Sequence, residues 1–281
     1  MTKRYQFVEE QSIVASDDRG FQYGDGLFET IAIRQHEPRL WNYHFQRLES
    51  GCKRLALELP AAAALHHRLC TAVAESDHDS DFCVAKIIVT AGVSQRGYGR
   101  EMPTDSSIYM GVFPANPVIR QTYEKGAATI LCKTRLAVGS PVAGLKTLNR
   151  IEQVLARSEC LRTGAFEGLT LDTEGRLICG TMSNVFIARD KKIATPALDR
   201  CGVAGIMRQF ILELLEQQGT DVEVRDLDWD DLIAADEVFI TNSQMGLVPV
   251  HRCENQEWKI GGVTHDVMKL LAANGIAECR V

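Results

Sequence analysis

The sequence predicts an α+β fold in two domains, a smaller amino-terminal α/β domain over residues 1–115 and a larger, β-rich carboxy-terminal domain over residues 123–281. Three observations lead there. Strand-like runs cluster apart from helix-like runs instead of following a regular βαβ alternation. A Pro-containing polar stretch, PANPVIRQ, breaks the pattern near the middle and supplies a linker at 116–122. The chain has 281 residues, 45% hydrophobic and 24% charged, which is enough to bury a core in one large domain or in each of two modest ones.

In chain order, Leu27 to Arg34 alternates and reads as a strand. Trp41, Phe45, Leu48, Cys52 and Leu55 recur at steps of four and three, the period of an amphipathic helix, and AAAALHHRLCTAVAES reads as a second helix. FCVAKIIVTAG and SIYMGVFP are β-rich. Past the linker come a strand around ATILCKTR, a loop interrupted by Gly and Pro (GSPVAGLKTLN), and a helix carrying Ile151, Val154, Leu155 and Leu161. Asn149 is placed to cap that helix. EGLTLD, TEGR and LIC read as a hairpin, followed by the strand NVFIAR. The helix IMRQFILELLEQQ, the strand DVEVRDL, the segment DWDDLIAA, the strand EVFITN and a last helix near THDVMKLLAAN complete the chain, with no internal repeat.

Composition excludes several function classes. A net charge of −6 with no basic stripe argues against nucleic acid as a partner. The opening MTKRYQFVEEQ has no apolar run behind its basic residues, and no later stretch approaches the roughly 20 apolar residues of a spanning helix, so neither a leader nor a membrane role is expected. Nine cysteines at irregular spacing, without a CxxC pair, indicate neither a disulfide framework nor a metal site and fit a reduced cytoplasm. GxxxxGK[ST], HExxH, GxSxG and a well-placed GxGxxG are all missing, which argues against NTPase, hydrolase and nicotinamide chemistry.

One local feature stands out. Lys146, in GLKTLNR, lies among small and apolar residues in a loop just before a helix. Desolvation there disfavours the ammonium and frees the amine, as a Schiff-base lysine requires. On the segment alone an exposed loop lysine is the favoured reading, since lysine side chains are mostly exposed.

Several separated segments decide between these when taken together. DDRGFQYGDGLFET, HFQRL, GLKTLNRIEQVLARSE, GTMSNVF, LDRCGVAGIMR and EVFITNS, in that order, resemble the fold-type IV pyridoxal-phosphate enzymes over nearly the whole chain. That family includes branched-chain and D-amino acid aminotransferases and aminodeoxychorismate lyases. KTLNRIEQVLAR, FET and RGY are most similar to the lyases.

The resemblance implies pyridoxal 5'-phosphate as cofactor, carried by Lys146, which also serves as the proton-transfer base. It implies that Arg47 grips the cofactor phosphate; the alternative for Arg47 is a solvated or ion-paired helix arginine. Gly205 and Ile206 would offer backbone N–H groups to the same phosphate at a helix start, and Thr241, Asn242 and Ser243 further hydrogen bonds from a turn. Cys179 occupies the position where relatives carry a Glu that pairs with the pyridine nitrogen. A thiol does not hold that proton comparably, and this weakens the cofactor as an electron sink. Glu174, in the TEGR turn, is no substitute.

Toward substrate, the resemblance implies a catalytic role for Thr30 in proton transfer, and Arg96 and Tyr98 would bind a carboxylate, for which an arginine fork is matched. Strand threonine and solvated loop arginine are the alternatives. The implied activity is conversion of 4-amino-4-deoxychorismate to 4-aminobenzoate and pyruvate for folate synthesis, in a cytoplasmic homodimer. Two other readings stay open: an aminotransferase of the same fold, and a catalytically silent homologue that keeps the cofactor.

Overall fold

The computed structural model describes residues 5–8, 14–79, 81–101 and 104–280, so parts of the opening MTKRYQFVEEQ lie outside the described residues. The chain divides into two compact units: Met1–Asn116 with Leu145–Asn149, and Pro117–Gly144 with Arg150–Val281. The architecture is mixed helix and sheet, as expected from sequence, with one sheet in each unit. The units depart from the sequence division in two places. The short segment around Lys146 groups with the first unit, and the stretch read as linker runs into a helix at Arg120–Lys125.

The first unit contains β1 (Tyr5–Val8), α1 (Arg19–Tyr23), β2 (Gly26–Arg34), β3 (Glu37–Pro38), α2 (Trp41–Leu55), α3 (Ala62–Glu75), β4 (Phe82–Thr90) and β5 (Ser106–Pro114). Its sheet runs β1-β5-β4-β2-β3, antiparallel except for the parallel β1–β5 pair. The period of two along β2 puts Leu27, Glu29, Ile31 and Ile33 on one face, all buried, and Phe28 and Thr30 on the other. The buried face meets helices whose inward residues follow the helical period: Leu48 and Cys52 on α2, and Leu65, Leu69 and Val73 on α3. Gly51 lets α2 approach closely, since a Cβ there would lie 2.7 Å from Leu27 Cδ1. Each fully buried aliphatic side chain contributes about 1.5–3 kcal/mol.

The second unit contains α4 (Arg120–Lys125), β6 (Ala127–Leu131), α5 (Ile151–Thr163), β7 (Glu167–Leu171), β8 (Leu177–Gly180), β9 (Asn184–Arg189), β10 (Lys192–Pro196), α6 (Ile206–Gln217), β11 (Val222–Arg225), α7 (Trp229–Ile233), β12 (Glu237–Asn242), β13 (Gly246–Cys253), β14 (Gln256–Glu257) and α8 (Gly262–Ala273). Its strand order is β11-β10-β9-β12-β13-β6-β7-β8, with β14 on β13. β7, β9 and β12 are buried along almost their whole length, which explains the apolar runs VFIA in β9 and VFI in β12, while the polar Glu167 and Thr170 of β7 are hydrogen-bonded inside. Phe186 and Phe239, registered partners on β9 and β12, stack with centroids 5.0 Å apart.

Asn149 does not cap α5, contrary to the sequence expectation. The N-cap is Arg150, without a side-chain cap bond, because the Asn149 amide instead donates to Gly24 O at 3.0 Å. No helix among the described residues is long and apolar enough to cross a membrane.

Candidate active site

In the first unit the Lys146 segment pairs with the amino-terminal half of β2. Phe28 N donates to Lys146 O, and Leu148 N to Gly26 O, each at 3.0 Å. The half-buried Lys146 side chain places Nζ 4.2 Å from the Phe28 ring centroid, and Lys86 Nζ lies 5.0 Å from the same ring. Thr30 is registered opposite Lys86 on β4. Phe28, Thr30, Lys86 and Lys146 thus gather around one sheet face, the face opposite Glu29.

Glu29 points into the α2 side, where it meets two helix residues three apart, His44 and Arg47. Arg47 Nε donates to Oε1 at 2.8 Å and Nη2 to Oε2 at 2.5 Å, while His44 Nδ1 lies 2.6 Å from Oε2. Burial alone would raise the Glu29 pKa, but the Arg47 charge, His44 and their hydrogen bonds outweigh it and hold the carboxyl down at about 2. Burial dominates at His44 and lowers its pKa, with Arg47 and Lys146 adding to it against the opposing pull of Glu29. The imidazole is therefore neutral. Its Nδ1–H donates to Glu29, and its buried Nε2 has no hydrogen-bond partner among the described residues.

Arg47 thus has two donor directions committed to Glu29. Sequence reasoning singled out Arg47 but missed Glu29 and His44. The available signal was a carboxylate at the inward position of an otherwise apolar row, three residues of which are Leu27, Ile31 and Ile33. Arg96 and Tyr98 lie in an exposed loop, with the Tyr98 ring 5.4 Å from that of Tyr23.

In the second unit three of the motifs converge. Asn184, which ends the GTMSN turn, donates through Nδ2 to Val203 O and is registered opposite Thr241 on β12. A Cβ on Gly205, the N-cap of α6, would come within 1.9 Å of Asn184 Oδ1, so a side chain here has to displace Asn184. No side chain caps α6, and its first N–H groups are the kind of donors that attract an anion. Arg208, in the first turn, donates to Thr195 Oγ1 and Pro196 O; burial lowers its pKa, and among the described residues no carboxylate pairs with it. Asn242 Nδ2 donates to Met182 O, while its Oδ1 accepts from Gln244 N and Met245 N. Thr241 Oγ1 donates to Gly246 O. Ser243 follows in the same turn.

The GTMS turn itself is held by Glu167, a fully buried residue that the sequence did not reveal. Its carboxylate accepts from the backbone N–H of Gly168, Thr181 and Met182 and from the hydroxyls of Thr181 and Ser183. Cys179 is buried among Leu136, Ile178 and Cys201, with Sγ 3.5 Å from Thr170 Oγ1. Burial pushes its thiol up to about 12, so it is a neutral group. Glu174 is exposed and ion-paired with Arg176 at 2.9 Å.

Comparison with known proteins places the chain in a family. Residues 26–253 match the model of the amino-transferase class IV family. The chain is 36% identical over 253 residues to an aminodeoxychorismate lyase of Vibrio harveyi, covering 89% of this chain and 91% of that one. A crystal structure of 4-amino-4-deoxychorismate lyase from Pseudomonas aeruginosa superposes with a TM-score of 0.87 at 40% identity, covering 94% of this chain and 96% of the other. A putative branched-chain-amino-acid aminotransferase of Methanocaldococcus jannaschii is 28% identical, with coverage of 89% and 86%. The chain belongs to the class IV aminotransferase family.

Proposed function

We propose that this chain is a pyridoxal-phosphate-dependent aminodeoxychorismate lyase that converts 4-amino-4-deoxychorismate to 4-aminobenzoate and pyruvate, a step in making folate. The observation that carries the reading is the similarity of 36% and 40% to two lyases over about nine-tenths of the chain, against 28% to the aminotransferase-named relative.

The residues present fit the phosphate of such a cofactor. The uncapped start of α6 offers backbone N–H groups suited to a dianion, with the Arg208 charge in its first turn, while the side chains of Thr241 and Asn242 hold the neighbouring turn through Gly246 O and Met182 O. Ile206 contributes as the first helical residue. The resemblance also assigns Arg47 to this phosphate; within its own unit its guanidinium is oriented by Glu29. The ring-nitrogen partner does not fit what the resemblance implies, a carboxylate at this position, because Cys179 is a protonated thiol.

When bound, the cofactor supplies a carbonyl that Lys146 can hold covalently and a ring that delocalises negative charge. Lys146 is the base. Its amine takes the proton from the ring carbon bearing the substrate nitrogen; the C–O bond to the enolpyruvyl group breaks, the ring becomes aromatic, and the departing fragment is protonated to pyruvate. Thr30, on the sheet face that carries Phe28, relays that last proton. Arg96, with Tyr98 beside it, binds a substrate carboxylate. Aromatisation draws this reaction forward, so it tolerates the neutral Cys179 better than transamination does.

A cytoplasmic homodimer completes the reading. All nine cysteines are free thiols. α5 exposes Ile151, Val154, Leu155 and Leu161 at helical spacing, an apolar stripe of the kind that marks an interface.

The test is borohydride reduction of cofactor-loaded protein followed by peptide mapping and product assays. The reading expects the label on Lys146 and pyruvate release without any amino acceptor. Keto-acid formation that depends on an acceptor would establish an aminotransferase instead, and a loaded protein silent on both substrate classes would establish a binding homologue.

A further inference from the structure

Arg19 is 3% exposed, lies in the five-residue helix α1, and has no part in the chemistry described above. Its guanidinium is spent almost entirely on one loop. Nη1 donates to Ser94 Oγ at 3.1 Å and to Gly97 O at 3.0 Å, and Nη2 donates to Tyr98 O at 2.9 Å. Nε is held by Asp25 Oδ2 at 2.9 Å, an oxygen that also pairs with Arg100 Nε at 3.0 Å. The backbone is fixed as well, since Arg19 N donates to Gly92 O at 2.9 Å.

Tyr23, one turn along α1, finishes the grip. Arg19 Cζ lies 5.0 Å from its ring centroid, its hydroxyl accepts from Gly97 N at 3.3 Å, and its ring packs on Tyr98. The loop needs such support. Residues 95 to 99 are exposed and in no helix or strand, and Gly97 sits at φ +104°, a left-handed conformation that glycine alone adopts without strain. Arg96 stands between the held positions 94 and 97.

A buried cation sheds its hydration only where fixed acceptors replace it, and here most of those acceptors belong to an exposed loop. We propose that Arg19 is a positioning residue for substrate recognition: together with Tyr23 it fixes the main chain of residues 94–98 so that Arg96 is presented in one orientation to a substrate carboxylate. The recognition half of this statement rests on the role given to Arg96 under the proposed function; the loop-fixing half does not.

Two measurements on the cofactor-loaded protein test it. The first is hydrogen exchange across residues 94–99 in wild type, Arg19→Lys and Tyr23→Phe, which needs no turnover. Exchange at the Gly97 amide should accelerate roughly tenfold or more in both variants, with little change in the β2–β4 core. Unchanged exchange in the loop overturns the proposal, even if the protein proves not to be a lyase. Should Arg19→Lys fold poorly, Tyr23→Phe removes a single acceptor and carries the same expectation.

The second is a double-mutant cycle. Arg19→Lys should raise KM for 4-amino-4-deoxychorismate roughly tenfold with kcat nearly unchanged, and the Arg19→Lys/Arg96→Ala pair should be no worse than Arg96→Ala alone. Effects that multiply, or a loss of kcat at constant KM, overturn the link from Arg19 to Arg96. A wild type without lyase turnover refutes the proposed function, and exchange then decides the positioning claim by itself.

Discussion

Glu29 and Arg47 form a two-pronged ion pair between β2 and α2, with Nε on Oε1 at 2.8 Å and Nη2 on Oε2 at 2.5 Å, and the carboxylate is almost completely buried. The pair fixes the guanidinium through geometry as well as charge. Removing one member leaves a desolvated charge behind, so Glu29→Ala should destabilise the first unit by about 3–5 kcal/mol, measured by urea unfolding. It should also weaken cofactor binding, measured by fluorescence titration, because Arg47 loses its orientation.

The same cluster sets an acid limit. Glu29 titrates at about 2 in the folded chain against an ordinary value of 4.5, so the folded state binds fewer protons than the unfolded state between those values. Its contribution is complete above about pH 4.5 and is lost as pH falls toward 2. His44 acts in the same direction, because burial keeps it neutral below its ordinary 6.5 while the unfolded chain takes up a proton. Stability should therefore decline from about pH 6.5 downward and more steeply below 4.5. His44→Asn should flatten the upper part of the decline in a series of unfolding midpoints against pH.

Gly205 and Asn184 meet so closely that a methyl group does not fit between them, at 1.9 Å from Oδ1. Gly205→Ala should push the start of α6 away from the GTMSN turn that leads into β9 and weaken cofactor affinity tenfold or more. Inorganic phosphate competition against bound cofactor reads the same site without turnover; the variant should lose this competition while keeping its far-UV circular dichroism.

Cys179 should behave as an inert buried thiol. Its pKa of about 12 leaves almost no thiolate at pH 8, so iodoacetamide should fail to label it in the folded chain. Cys179→Glu should add a carboxylate near Arg150, whose charge already acts on this position. Any transaminase activity should then rise by a larger factor than lyase activity, because the lyase is drawn forward by aromatisation. A greater rise in the lyase rate would contradict this account of the substitution.

Much of the fold is visible in local patterns. The period of two in Leu27–Arg34 and the steps of four and three from Trp41 to Leu55 mark β2 and α2 because each buries a single face. The pairing of residues 146–148 with β2 is not visible, since it joins positions about 120 apart through main-chain bonds that leave no mark on side-chain choice. Asn149 shows the same limit: its local setting suits a cap, yet a distant carbonyl at Gly24 takes its amide. Lys146, Arg47 and Gly205 were singled out through resemblance alone. Glu29, His44, Glu167 and Arg19 were not, because a buried polar residue gains its meaning from partners that only the folded chain brings near.

The most direct test of the central claim is the product balance of the cofactor-loaded protein supplied with 4-amino-4-deoxychorismate and no amino acceptor. The account predicts 4-aminobenzoate and pyruvate in equal amounts from wild type, and a rate lower by several orders of magnitude from Lys146→Ala, which loses both the covalent anchor and the base. Absence of both products from the wild type, or undiminished turnover in Lys146→Ala, would contradict it.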